Sequence, residues 1–121
     1  MKNQAYRMAM LFDFYGDVLT DRQKEFYDLY YNEDLSLGEI AENYGISRQG
    51  VRDVIIRAEV VLTELEDKTG FIKRFHIMRR QLEQLLQDAG QMVELTSRQD
   101  NPELEALAYR VRDAAEALLK E

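Results

Sequence analysis

The sequence predicts an all-α protein in which a helix-turn-helix domain is followed by a long helical hairpin. One proline and six glycines interrupt the 121 residues. Apolar residues recur every three or four positions along most of the chain, and capping residues stand where several of these stretches begin. We expect the domain at residues 1–69 and the hairpin, a coiled-coil extension able to dimerise, at residues 70–121.

The first two predicted helices are defined by an apolar stripe and a cap. The stripe has the spacing of one helix face and weakens at Gly16; it consists of Met8, Leu11, Phe12, Tyr15 and Leu19. Thr20 and Gln23 then have the spacing of a capping box. The helix that they begin presents Phe26, Leu29 and Tyr30, and we expect it to fray near residues 32–34.

Local signals predict a helix-turn-helix in the middle of the chain. Ser36 and Glu39 form a second capping box, and Gly45 can adopt the left-handed conformation that ends a helix. Ser47 can cap the helix that follows. Two helices joined by about three residues that include a glycine are typical of a helix-turn-helix. Ala41 is small at the point where the two helices must approach closely.

The second half of the chain predicts an antiparallel helical hairpin. A long helix runs from about Phe71 to Leu95, and after a polar loop Asn101 caps a last helix that begins at Pro102. The apolar stripes of the two helices match in length, so we expect them to bury each other. The alternative is that the first stripe, a heptad repeat, pairs two copies into a homodimer. The stripes are Phe71, Phe75, Met78, Leu82, Leu85, Ala89 and Met92, and then Leu104, Leu107, Val111, Ala114 and Leu118.

The residues from Leu19 to Leu65 resemble region four of bacterial sigma factors, in the LTDRQ start, the SLGEIA helix, the GISRQ turn and the VRDVIIRA helix. The paired Tyr30 and Tyr31, the MLFDFYGDVLT opening and the KTGFIKRF exit make about the first 75 residues similar to the YlxM family of small Gram-positive proteins. That resemblance implies a sigma region-four-like domain. It also implies a regulatory role in membrane-protein targeting by the signal recognition particle, whose GTPase is usually encoded beside members of the family. The implied partners are the protein or the RNA of that particle.

The start of the second helix of the helix-turn-helix carries the candidate nucleic-acid-binding residues, which are Ser47, Arg48, Gln49 and Arg52. Arginine can pair with guanine and glutamine with adenine, whereas serine can hold a phosphate. Charge argues against duplex DNA, because residues 20–68 contain six basic and twelve acidic side chains and the whole chain has a net charge of -7. These observations favour a trihelical scaffold with a local basic tip, and a DNA-binding transcriptional regulator is the alternative.

A second basic cluster lies at the predicted start of the hairpin, in a window without acidic residues up to Glu83. It could bind RNA, phosphate or an acidic partner, and nearby Phe71 and Phe75 could stack on bases. The alternative is that the phenylalanines belong to the core and the cations are solvated. The cluster consists of Lys68, Lys73, Arg74, Arg79 and Arg80.

Composition narrows the function class. The chain has no cysteine, which excludes disulfides and thiolate metal sites, and no apolar run approaches the length of a membrane span. Its N-terminus lacks the features of a signal peptide, so we expect a cytoplasmic protein. The single histidine, His76, has no acidic residues placed to form one catalytic cleft with it. We expect an accessory or regulatory binding protein with no enzyme activity, cofactor or metal; a purely structural homodimeric adaptor is a third interpretation.

Overall fold

The computed structural model describes residues 4–120, and the regular secondary structure within that range is helical. The predicted all-α fold is confirmed. No helix in the described range is both long and apolar enough to cross a membrane. The elements are α1 (Ala5–Tyr15), a 3₁₀ turn (Gly16–Val18), α2 (Asp21–Tyr31), α3 (Leu37–Tyr44), α4 (Arg48–Thr69), α5 (Phe71–Thr96) and α6 (Pro102–Lys120).

The chain divides into two compact units. The first ends at Ile72 and the second begins at Lys73, so the first two residues of α5 belong to the first unit. The structural division lies three residues beyond the division expected from the sequence. That residues 1–69 and 70–121 are separate domains stays a prediction.

The predicted caps form in the structure. Thr20 and Gln23 make reciprocal side-chain bonds to each other's backbone N–H groups at 3.2 and 3.0 Å. Ser36 and Glu39 do the same at 3.1 Å in both directions. Each box satisfies N–H groups that the first turn of a helix cannot pair internally, and it therefore fixes where the helix begins. Asn101 caps α6 through a bond from Leu104 N to its Oδ1 at 3.2 Å.

Two apolar clusters hold the first unit together. One packs α1 against α2 and α4 and includes Leu11, Tyr27 and Leu62. The other fills the angle among α2, α3 and α4; its buried members are Phe26, Tyr30, Ile40, Ala41, Val51 and Ile55. The second cluster sets the direction in which the first turns of α4 point, and those turns carry the candidate site.

A carboxylate fixes the place where α5 begins. Glu66, near the end of α4, accepts the hydroxyl of Tyr15 at 2.6 Å and the backbone N–H of Ile72 at 3.0 Å. Thr69 Oγ1 accepts the N–H of Phe71 at 3.2 Å. Two N–H groups of the first turn of α5 are therefore satisfied by side chains from α4, as a capping residue would do. Gly70 adopts the left-handed conformation, with φ of 59°, and ends α4.

The second unit is an antiparallel helical hairpin. Arg79 Nη1, near the start of α5, donates to the carbonyl of Leu119, near the end of α6, at 3.3 Å. The helices pack on small residues, because Ala89 of α5 and Ala108 and Ala115 of α6 are buried. Small side chains allow two helix backbones to approach closely.

The prediction of which residues form the contact between these two helices was largely wrong. Every member of the predicted α6 stripe is exposed, and the buried or half-buried positions follow it by one residue; they are Glu105, Ala108, Arg112, Ala115 and Leu119. On α5, Ala89 is buried and Leu82 and Phe75 are half-buried as expected, whereas Phe71, Met78, Leu85 and Met92 are exposed. The prediction placed the contact on the face with the large apolar residues, but the helices meet at the neighbouring face, which carries the alanines.

Candidate nucleic-acid interface

The turn between α3 and α4 positions the candidate site. Gly45 has φ of 65° and its N–H bonds to the carbonyl of Ala41, which ends α3. Ala41 is buried at the point where α3 meets α4, together with Val51 on the inner face of α4. The predicted helix-turn-helix is therefore present, and its second helix begins at the surface with the turn that contains Arg48.

The four predicted residues lie together at the exposed start of α4. Ser47 is the cap residue: its Oγ accepts the N–H of Gly50 at 2.9 Å. Arg48 and Arg52 are exposed and are one helical turn apart, so they share a face. Gln49 is exposed as well, and its Nε2 donates to Asp53 Oδ1 at 3.0 Å.

This arrangement suits an anion better than it suits a particular base. Two guanidinium groups lie beside the N-terminal end of a 22-residue helix, whose aligned peptide dipoles also favour negative charge. Contact of Gln49 with adenine would require its amide to leave Asp53, and Ser47 already uses its oxygen as a cap. The negative charge of Asp53 on the same turn opposes the approach of a phosphate.

The cations of the second predicted cluster do not lie on one face. Lys68 belongs to the last turn of α4, where a cation stabilises the negative end of the helix dipole. The other four are exposed on α5. Lys73 and Arg80 are seven residues apart and share a face, whereas Arg74 is rotated by about 100° from Lys73. Arg79 bonds to Leu119 O and also pairs with Glu83 at 3.5 Å, so it serves the hairpin.

Tyrosine hydroxyls bonded to carboxylates form a feature that the sequence did not predict. Tyr31 of α2 donates to Glu59 of α4, and Tyr44 of α3 donates to Glu25 of α2. Burial and the neighbouring carboxylate of Glu59 raise the pKa of Tyr31 well above its ordinary value. These contacts join residues that are far apart in sequence, so no local spacing predicts them. Two of the acidic residues of the helix-turn-helix unit, Glu25 and Glu59, therefore accept hydrogen bonds that hold its helices together.

Among residues 4–120, no group of three or more histidine, aspartate or glutamate side chains is placed to hold a metal ion. His76 is half-buried, and its ring lies 5.8 Å from that of Phe75. A surface cavity of about 320 Å³ is lined by Phe12, Asp21, Lys24, Glu25 and Asp28. The three carboxylates that line this cavity, those of Asp21, Glu25 and Asp28, lie along one side of α2.

The fold and the exposed basic tip of α4 together define the class of this chain as a helix-turn-helix protein. Comparison of the sequence with family models narrows the class. Residues 2–101 match the model of the UPF0122 family, the YlxM/p13-like helix-turn-helix proteins. The chain belongs to this family, which confirms the family resemblance seen in the sequence.

Individual relatives carry the same family name. A UPF0122 protein of Acetivibrio thermocellus is 39% identical over 116 residues, which cover 95% of this chain and 99% of the relative. One from Desulforamulus reducens is 51% identical over 70 residues, which cover 58% of this chain and 60% of the relative. One from Bacillus mycoides is 46% identical over 91 residues, which cover 73% of this chain and 83% of the relative. These names give a family and do not give an activity or a partner.

Proposed function

We propose that this chain is a non-catalytic accessory protein that acts in the cytoplasm on the signal recognition particle pathway, by binding the RNA or a protein of the particle. The family resemblance supports the choice of pathway. The observation that carries the proposal is the placement of cations in an acidic chain. Arg48 and Arg52 share an exposed face of α4, and Lys73 with Arg80 shares an exposed face of α5.

A net charge of -7 repels nucleic acid and acidic surfaces at long range. Attraction must therefore come from short stretches where exposed cations lie close together. Each of the two pairs presents two positive groups separated by one or two helical turns, a spacing that can follow a phosphate backbone or an acidic protein surface. Binding of this kind weakens with salt, since each phosphate that is neutralised releases counterions.

A fluorescence anisotropy titration with purified chain tests this proposal. The probes are a bacterial signal recognition particle RNA, an unrelated structured RNA of equal length, a duplex DNA of equal length and the fluorescently labelled protein of the particle. We expect tightest binding to the particle RNA, with a logarithmic salt slope of roughly -2 to -4 if two to four phosphates are contacted. Absence of preference for that RNA, together with failure of the particle's protein to bind in the same assay, would contradict the proposal.

A DNA-binding transcriptional regulator is the second candidate, favoured by the exposure of Arg48, Gln49 and Arg52 at the start of α4. In helix-turn-helix proteins this part of the recognition helix contacts base edges. The same titration distinguishes the two candidates when it is repeated with a library of duplex sequences. A duplex preferred over the particle RNA, with a loss of sequence preference in Arg52→Ala, would support the regulator.

A further inference from the structure

Ten large apolar side chains are exposed in the described part of the second unit, and eight of them recur at intervals of three, four or seven residues within each helix. Each of the eight has 38% to 58% of its surface accessible; Ile77 and Tyr109 are the other two. The eight are Met78, Leu85, Met92 and Leu95 on α5 and Leu104, Leu107, Val111 and Leu118 on α6.

These residues form one face. Each of them comes one position before a residue directed towards the neighbouring helix; Leu85 precedes half-buried Leu86, and Leu107 precedes buried Ala108. One residue corresponds to a rotation of about 100° around the helix axis. Because α5 and α6 run in opposite directions, moving one residue back along either helix leads to the same side of the hairpin. The two exposed stripes therefore lie side by side.

The opposite side of the hairpin is polar. The residues one position after those directed towards the neighbouring helix are mostly charged or amide side chains; they include Arg80, Glu83, Gln87, Glu94, Asp113 and Glu116. Tyr109, which follows Ala108, is an aromatic exception, and the guanidinium of Arg112 lies 4.7 Å from the centre of its ring. Helices of a bundle typically carry apolar residues at two positions of each heptad and at a third position next to these, because each helix packs against two neighbours. In the hairpin each helix packs along one neighbour, and the second apolar stripe is left open on one side only.

We propose that two copies of the chain associate through this apolar face, so that two hairpins form a four-helix bundle. A second hairpin offers each helix the missing neighbour, with a stripe of the same length and character. Self-association also suits the charge, although the chain is acidic overall. Between residues 78 and 95 of α5 the face has two polar members, Gln81 and Asp88, each one position before a residue directed towards α6, and Asp88 accepts a bond from Gln84 at 3.0 Å. Since this stretch of the face carries one carboxylate per chain, like-charge repulsion between the two copies is small where they would meet.

The area of the face is close to the apolar share of a standard interface. Complete burial of a large apolar side chain removes about 60–120 Å² of surface from water, so eight half-exposed side chains present roughly 350–400 Å² of apolar surface per chain. That is as large as the biggest apolar patch of a typical monomer, about 300–600 Å². Each partner in an interface of standard size contributes roughly 800 Å², of which about 56–58% is apolar.

Sedimentation velocity of the full chain over a concentration series tests the proposal. We expect a dimer in the parent, and we expect Leu85→Glu with Val111→Glu to raise the dissociation constant by about 100-fold or more, because it puts unpaired charges into an apolar contact. The matched control is Gln87→Glu with Ala106→Glu, which adds the same charge at exposed positions away from the face. The control should dimerise as the parent does.

A second measurement keeps the test independent of how well the glutamate variant folds. The chain has no cysteine, so Gln87→Cys supplies a single site for a nitroxide label on the polar side of the hairpin. Pulsed dipolar spectroscopy should then report a distance between two labels, which can arise only between copies. A parent that sediments as a monomer and gives no such distance would overturn the proposal, as would a dimer that the face variant and the control weaken equally.

Discussion

Two tyrosine hydroxyls of α2 donate to acceptors on other helices of the first unit. Tyr27 donates to the carbonyl of Met8 at 2.7 Å and its ring stacks on Phe12 at 5.3 Å, while Tyr31 donates to Glu59. Burial raises the pKa of Tyr27 and of Tyr31, and the negative charge of Glu59 raises both further. Ionisation of either phenol in the folded state would place an anion in a site arranged for a neutral donor.

This arrangement predicts a loss of stability in alkaline solution. The ordinary tyrosine pKa is 10.0, and the folded-state values of Tyr27 and Tyr31 lie above it. The unfolded chain therefore loses these protons first, so their contribution is complete below pH 10 and falls as the pH rises further. Urea unfolding at a series of pH values should show this decline. Tyr31→Phe should make it shallower and should cost about 1–2 kcal/mol at neutral pH. A decline equally steep in Tyr31→Phe would contradict the assignment of the alkaline loss of stability to Tyr31.

Gly45 provides a second test at the scale of a residue. Its φ of 65° is in the left-handed region, and a Cβ there would meet no atom within 4 Å, so the cost of Gly45→Ala is conformational. We expect Gly45→Ala to lower the free energy of unfolding by about 1–2 kcal/mol. Gly90→Ala is the matched control, because Gly90 is helical with open space around it, and it should raise that free energy by about 0.5–1 kcal/mol. Thermal denaturation followed by circular dichroism would show opposite shifts; shifts of the same sign would contradict this interpretation.

At the scale of elements, the alanine contact between α5 and α6 can be tested directly. Ala108 is fully buried, so Ala108→Leu would force the helices apart and should cost about 1–3 kcal/mol of unfolding free energy. Ala106→Leu makes the same chemical change at an exposed position of α6 and should change stability by less than about 0.5 kcal/mol. Chemical denaturation of the two variants measures both values. Equal destabilisation would show that Ala108 is not at the contact.

The elements were predictable from the sequence wherever their signals were local. The capping boxes at Thr20 and Ser36, the helix end at Gly45 and the start at Pro102 each depend on a few adjacent residues, and all four were confirmed. The face of a helix that meets its neighbour was harder to predict. Large apolar residues form one stripe in α6 and small ones form the next, and spacing alone does not say which stripe is buried.

The candidate site was predictable in part for the same reason. Ser47, Arg48, Gln49 and Arg52 follow a local cap and were placed together as expected. The bond between Gln49 and Asp53 follows from a spacing of four residues, although the sequence does not show that it forms. The bond between Tyr31 and Glu59 joins residues 28 positions apart, and only the tertiary fold brings them together.

At the scale of the molecule, the chain combines acidic composition with two exposed pairs of cations, one in each compact unit. The pair on α4 is Arg48 and Arg52, and the pair on α5 is Lys73 and Arg80. Lys68 and Arg79 also belong to the basic stretch of the sequence, but the former lies at the end of α4 and the latter bonds within the hairpin. The proposed function therefore depends on fewer cations than the sequence contains in that stretch.

The affinity of charge-reversal variants for a reconstituted signal recognition particle tests the proposed function most directly. Lys73→Glu with Arg80→Glu should weaken binding by about tenfold or more, and by more than Arg48→Glu with Arg52→Glu does. Arg98→Glu with Lys120→Glu, which reverses two cations outside both pairs, should bind as the parent does. Circular dichroism would first establish that each variant folds. A folded Lys73→Glu, Arg80→Glu variant that binds the particle as tightly as the parent would show that the cation pair on α5 does not contact the particle.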